Sequence, residues 1–227
     1  MSHPKPDLFT TDQLASLGYD GGHVSDRPLL ACDVDEVVIH LVEPFERVMN
    51  ERGYELKAHA FKLTGNVFER ETGREATMEE VWEGLEQLFG EQAERQGIVD
   101  GVADGLAQIA EVADIVFLTN MPHPHRETRA AHLQANGMHY PLVTNSGSKA
   151  PALRLLAAGH KGPTGFVDDS PKNHEQVREA LPDIRLFHFM ANETFRNMLG
   201  TIDGALIHAY DWREAAPAIV KALVEER

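Results

Sequence analysis

Leu29–Val38 reads LLACDVDEVV, an apolar run that delivers two carboxylates, Asp33 and Asp35, with one residue between them. An apolar run bounded by charge has the pattern of a short buried strand, and open α/β sheets gather ligands outside the carboxyl ends of such strands. Asp33 then stands at that mouth. Residues two apart in extended chain point to the same side, so Asp35 shares the site if the strand continues or turns gently. Taken alone the pair is also what an ordinary acidic loop offers; three later stretches decide between the two readings.

Downstream of Gly97 the chain alternates helical stripes with apolar runs. Asp114 to Leu118 (DIVFL) is β-rich and ends in Thr119-Asn120, Arg126 to Asn136 reads as a helix closed by Gly137, and Pro141 to Thr144 is a short apolar run. Lys149 opens a helical pattern with Leu153, Leu155 and Leu156, and Gly165 to Val167 runs into Asp168-Asp169, with Ser170 as N-cap and Pro171 in the first helical position. Arg185 to Phe189 is a further core strand, and Asp211 to Glu214 a capping pattern before a C-terminal helix. Strands separated by helices predict an α/β fold, a doubly wound parallel sheet covered on both faces.

Between the first strand and Gly97 the pattern is helical and charged. Glu43 to Arg52 is one helix candidate, a second lies within Ala58 to Glu71, and Thr77 to Glu80 is a capping box ahead of the stripe Val81, Trp82, Leu85, Leu88 and Phe89. The division expected is an N-terminal arm over 1–28 with a turn or two of helix around Asp12 to Leu17, a core made of 29–42 and 97–227, and a helical cap inserted over 43–96. The Trp82 ring is expected in the cap's own core, and Trp212 beside a helix start.

The 227 residues are 42% hydrophobic, enough for one domain with a sizeable core and an insertion. A formal net charge of -15 argues against a nucleic-acid polymer or an anionic membrane as partner and favours a divalent cation. The single cysteine, Cys32, lies inside the first strand, so no intramolecular disulfide forms and a reducing, cytoplasmic setting is expected. No signal-like or membrane-spanning stretch is visible. The oligomeric state is not legible.

Asp33 with Asp35, Thr119-Asn120, Lys149 and Asp168-Asp169 all fall at the ends of strands or at the helix start beside one, and a parallel sheet brings such ends to one edge. Four close carboxylates cannot all ionise without a cation. Hard oxygen ligands with no His or Cys at ligand spacing point to Mg2+. Lys149 and the Thr119 hydroxyl would balance a phosphoryl group. His123 and His125 lie on a Pro-broken loop followed by His132, but no third ligand of matching type lies at a zinc spacing.

These residues resemble the haloacid dehalogenase-like superfamily in four motifs in that family's order: DVDEV at 33 to 37, FLTN at 117 to 120, Lys149, and GFVDDSPKN at 165 to 173. A bacterial response-regulator receiver also combines an acidic cluster with an Asp, a Thr and a Lys, but there the acidic pair comes early and here it comes last. Asp35, two residues after the first Asp, is similar to the phosphatases and phosphotransferases and unlike the dehalogenases, since ester cleavage needs a proton donor for the leaving alkoxide. The resemblance implies a phosphomonoester hydrolase acting on a small phosphorylated substrate. Asp33 would be the nucleophile that forms an aspartyl-phosphate, Asp35 the general acid and base, and Thr119, Asn120 and Lys149 the phosphoryl-binding groups. Mg2+ would be held by Asp33, the backbone carbonyl of Asp35, Asp168 and, directly or through water, Asp169. The first motif is also similar to that of deoxyribonucleotidases, so nucleoside monophosphates stand beside sugar phosphates as expected substrates; a phosphotransferase and a non-catalytic phosphate-binding protein are the alternatives.

Two places depart from the family pattern. Glu36 stands where Gly is usual, either altering the bend into the cap or projecting a carboxylate towards the substrate entrance. Asn173 replaces an acid and would support the metal shell by hydrogen bonding or sit in its helix's first turn. Phe45, Arg47, Lys62 and Arg70 are the candidates in the cap for contacting the leaving group.

Overall fold

The computed structural model describes residues 5–225. The chain opens with helix α1 (Leu8–Ser16), enters strand β1 (Leu29–Cys32), and leaves the core through α2 (Val42–Glu51), β2 (Tyr54–Leu56), β3 (Val67–Glu69), α3 (Met78–Gly90) and the single turn α4 (Gln92–Arg95). It returns with α5 (Val102–Ala110) and then alternates β4 (Asp114–Asn120), α6 (Arg126–Ala135), β5 (Leu142–Asn145), α7 (Ala150–Ala158), β6 (Thr164–Asp168), α8 (Pro171–Ala180), β7 (Arg185–Phe189), α9 (Glu193–Arg196), β8 (Ala205–Ala209) and α10 (Trp212–Val224).

Six strands form one parallel sheet in the order β5-β4-β1-β6-β7-β8. The two-residue period of a strand sorts β1 into two cores. Leu30 and Cys32 join Phe117, Val167 and Phe187 against α5 and α10, while Leu29 and Ala31 join Val116, Leu118 and Phe166 against α1 and α7. Each fully buried Leu or Phe of this kind stabilises the fold by about 1.5–3 kcal/mol. Trp212 is buried as expected: its Nε1 donates to the Val37 carbonyl at 2.8 Å, and its ring stacks on Phe189.

The inserted segment folds as α2 packed on α3, burying Phe45, Val48 and Met49 with Val81, Leu88 and Phe89. The capping box holds: the Thr77 side chain accepts from the Glu80 N–H, and the Glu80 carboxylate from the Thr77 N–H at 2.7 Å. A Cβ on Gly84 would lie 2.3 Å from Met49 Sδ and 3.3 Å from the Phe45 ring, so the helices approach this closely only because that position has no side chain. The segment differs from the expected all-helical insertion. β2 and β3 form an antiparallel pair, and Asn66 Nδ2 donates to the Ala60 and Lys62 carbonyls, fixing a loop where a third helix was expected.

The first 28 residues also do more than trail from the core. α1 begins four residues before the expected turn and buries Leu14. Gln13 exchanges hydrogen bonds with Thr144, whose N–H donates to Gln13 Oε1 at 2.9 Å, and so occupies part of the exposed edge of β5. At the opposite edge β8, which the sequence reading missed, alternates half-exposed and exposed residues, leaving no continuous apolar run to mark it. Among the described residues no helix is long and apolar enough to cross a membrane.

Candidate active site

β1 lies between β4 and β6, with Cys32 level with Phe117 on one side and Val167 on the other. The residues that follow these three strands therefore emerge together. Lys149, at the start of α7, reaches across: its Nζ lies 2.7 Å from Asp33 Oδ1 and 2.7 Å from Asp168 Oδ2. Burial would by itself lower the Lys149 pKa, but Asp168 and Asp33 outweigh it and raise it, so the ammonium is firmly charged. Asp33 Oδ1 also accepts the Val34 N–H at 2.7 Å, which leaves Oδ2 as the oxygen free to act.

Asp33, Asp168 and Asp169 bring carboxylate oxygens within 4.8 Å of one another. Burial, opposed by Lys149 and reinforced by Asp168, pushes Asp33 up to about 7, and burial with Asp168 and Asp33 raises Asp169 well above the usual carboxylate range. Such a cluster resists carrying its full charge unless a cation joins it. Three hard oxygen donors with no sulfur or imidazole among them fit magnesium. Asp168 is oriented by Asn173 Nδ2, 2.9 and 3.1 Å from its two oxygens, and by the Ser170 N–H at 2.8 Å. Asn173, in the first turn of α8, thus orients Asp168 by hydrogen bonding, whereas Ser170, though at the N-cap, makes no side-chain cap bond. Behind the acids, His174 and His188 hold the Asp168 and Asp169 carbonyls at 2.9 and 3.1 Å, and burial beside His174 and His208 pushes His188 down to about 4, keeping it neutral.

The Thr119 hydroxyl is buried and has no hydrogen-bond partner. An orphaned buried donor is costly. It borders a cavity of about 210 Å³ shared with Asp33, Asp35, Lys149, Asp169 and Asn173, where a ligand oxygen would satisfy it. Asn120 also borders this cavity, but its side chain is committed elsewhere: Nδ2 donates to the Gly147 carbonyl at 2.9 Å and Oδ1 accepts from Asn145 at 2.8 Å, bracing the loop that carries Lys149.

Asp35 turns away from the three-acid cluster to a partner that sequence reasoning missed. Its Oδ1 lies 2.9 Å from Arg129 Nη1. Arg129 is fully buried on α6, where it also donates to Gln92 and, at 3.1 Å, to Gln96, and lies over the Phe89 ring. One guanidinium therefore ties the Asp35 carboxylate to the end of the inserted segment. Arg129→Met is expected to destabilise the protein by about 3 kcal/mol, because it strands Asp35 and two buried amides, and Arg129→Lys is expected to recover only part of this. Urea unfolding of both variants measures it.

Glu36 resolves in favour of the bend. It has φ 61°, and among the described residues it alone combines a side chain with a left-handed backbone. Its buried carboxylate points into the protein, accepting the N–H groups of Leu41 at 2.8 Å, Val42 at 2.6 Å and Asn192 at 2.9 Å. Of the leaving-group candidates in the inserted segment, Phe45 is core, Arg47 donates to the Arg95 carbonyl, Arg70 to Tyr54 and Asn50, and none of these nor Lys62 borders the cavity. Trp82 does border it, 49% exposed, where the helix stripe had suggested cap core. His123 and His125 turn to different acids, Asp7 at 3.2 Å and Glu86 at 2.7 Å, and do not converge.

No family model matches the sequence, and no curated protein matches it either. Solved structures do match. A conserved haloacid dehalogenase-like protein of unknown function from Agrobacterium tumefaciens superimposes with TM-score 0.61 at 16% identity, over 87% of this chain and 99% of that one. A HAD family hydrolase from Deinococcus radiodurans, with bound phosphate and sodium, gives TM-score 0.56 at 15% identity over 88% and 98%. A HAD hydrolase of family IA, variant 3, from Entamoeba histolytica gives 0.56 at 15% over 87% and 100%. At these identities the likeness is one of fold.

Proposed function

We propose that this chain, which has the haloacid dehalogenase-like fold, is a magnesium-dependent phosphomonoester hydrolase. The observation that carries the reading is the unpartnered Thr119 hydroxyl bordering the same cavity as Asp33, Asp35 and Lys149. Asp33 Oδ2 attacks phosphorus in line and forms an aspartyl-phosphate, while the ester oxygen departs with a proton from Asp35. Asp35 then removes a proton from water as the water attacks the same phosphorus, and the Asp33 carboxylate is released with inorganic phosphate. Lys149 and Thr119 hold the phosphoryl oxygens, joined by the Asn120 N–H. Asp33, Asp168 and Asp169, with the Asp35 carbonyl, would hold magnesium, which when bound neutralises charge on those oxygens. Glu36, turned inward, leaves the cavity open to substrate.

Phosphate release from a panel of phosphate monoesters, assayed with magnesium and then with excess chelator, tests this. The expected result is release that falls by at least about 100-fold on chelation and returns with added magnesium. Release that ignores the chelator, or no release from any ester, would end the reading.

A further inference from the structure

The cavity has a polar floor and an apolar roof, and its charges are confined to the floor. Leu41, Leu63, Trp82, Leu85 and Phe89 face the site from the inserted segment and its entry, with Pro122 beside them. Among the described residues Lys149 is the one cation bordering the cavity, and it is already engaged by Asp33 and Asp168. Of the inserted segment's cations, Arg52, Lys57, Arg74 and Arg95 pair with acids of that segment, Arg47 and Arg70 donate to its own oxygens, and the exposed Lys62 does not border the cavity.

A substrate's transferable phosphoryl group belongs on the floor, so its leaving group must lie against this roof. A second phosphate or a carboxylate there would be desolvated without a counterion, close to three aspartates. Sugar hydroxyls would lose water and gain no side-chain partner from the roof. An apolar ring loses nothing of the kind, and the half-exposed indole of Trp82 offers it a face. The cavity, about 210 Å³, lies below the ~300–1,000 Å³ of pockets that enclose drug-sized ligands, so the group beside the phosphoryl is small, of the order of a single ring.

Resting on the hydrolase reading, we infer that the substrate is the phosphate monoester of an uncharged, apolar alcohol, one carrying a single ring, selected by Trp82 and the roof around it. Charged and polyhydroxylated esters are excluded by the same surface.

The test compares kcat/KM for benzyl phosphate, ethyl phosphate, glucose 6-phosphate and phosphoglycolate, whose leaving groups are all primary alkoxides. Benzyl phosphate is expected to exceed glucose 6-phosphate and phosphoglycolate by at least tenfold. Trp82→Ala should lower the ratio of benzyl to ethyl phosphate at least tenfold, and Trp82→Arg should shift preference towards phosphoglycolate; a half-exposed position tolerates both. Calorimetric binding of benzylphosphonate against phosphonoacetate, in magnesium, separates the two claims. Benzylphosphonate bound in preference, with no ester turned over, supports the roof's selectivity and overturns the hydrolase. Turnover that favours glucose 6-phosphate or phosphoglycolate, or a benzyl-to-ethyl ratio unmoved by Trp82→Ala, keeps the hydrolase and overturns this inference. Neither binding nor turnover overturns both.

Discussion

Asp33→Asn is expected to reduce phosphate release by on the order of 10^4-fold or more while leaving the fold intact. The amide cannot attack phosphorus as the carboxylate does, and two of the neighbouring carboxylates are engaged by other partners. Asp168 is held on both oxygens by Lys149, Asn173 and the Ser170 N–H, and Asp35 is held by Arg129. The fold should survive because the Asn oxygen can still accept from the Val34 N–H and from Lys149, as Asp33 Oδ1 does. Stability should even favour the variant in metal-free buffer. An acid whose pKa is about 7 in the folded protein against an ordinary 3.8 contributes stability below pH 3.8 that is lost as pH rises to about 7. The neutral amide avoids that loss, so the thermal midpoint at pH 7.5 should be no lower than the parent's. Phosphate release, with circular-dichroism melting beside it, reads both. Activity within tenfold of the parent would remove Asp33 from the nucleophile's place.

The parts of this site that could be read from sequence share one property: each is local. DVDEV, FLTN, Lys149 and GFVDDSPKN stand where a short apolar run stops, and the parallel sheet alone then brings them together. Arg129 is not local. Its partners Asp35, Gln92 and Gln96 lie 94, 37 and 33 residues away, and nothing in RETRAAHLQA marks one arginine as buried. The roof was hidden for another reason. A helix stripe shows that Trp82 and Leu85 are on an apolar side, but the same stripe serves for packing on α2 and for facing a cavity. β2 and β3, three residues each, are too short for alternation to show. Glu36 was visible as a departure, yet the direction of its side chain depends on Asn192, 156 residues on.

That last residue sets two opposing effects against each other, and their balance can be measured. A side chain at φ 61° costs about 1–2 kcal/mol relative to glycine, the residue the sequence pattern leads one to expect there. Against this, the carboxylate gathers three backbone N–H groups, two from the start of α2 and one from the segment before α9, and hydrogen bonds to a charged group contribute about 1.5–3 kcal/mol each. Burial raises the Glu36 pKa, opposed by those same bonds, so part of the gain is lost to desolvation. The bonds still win. Glu36→Ala keeps the strain and loses the bonds, and should destabilise by about 3–5 kcal/mol; Glu36→Gly relieves the strain and should be about 1 kcal/mol less damaging. The order expected in urea unfolding is therefore parent, then Gly, then Ala. A Glu36→Gly protein more stable than the parent would mean that strain dominates, and that the glutamate is held there for something other than the turn. If the order stands, the tie from Asp35's neighbour to α2 is what fixes the angle at which the roof meets the floor, and both variants should lose turnover along with stability.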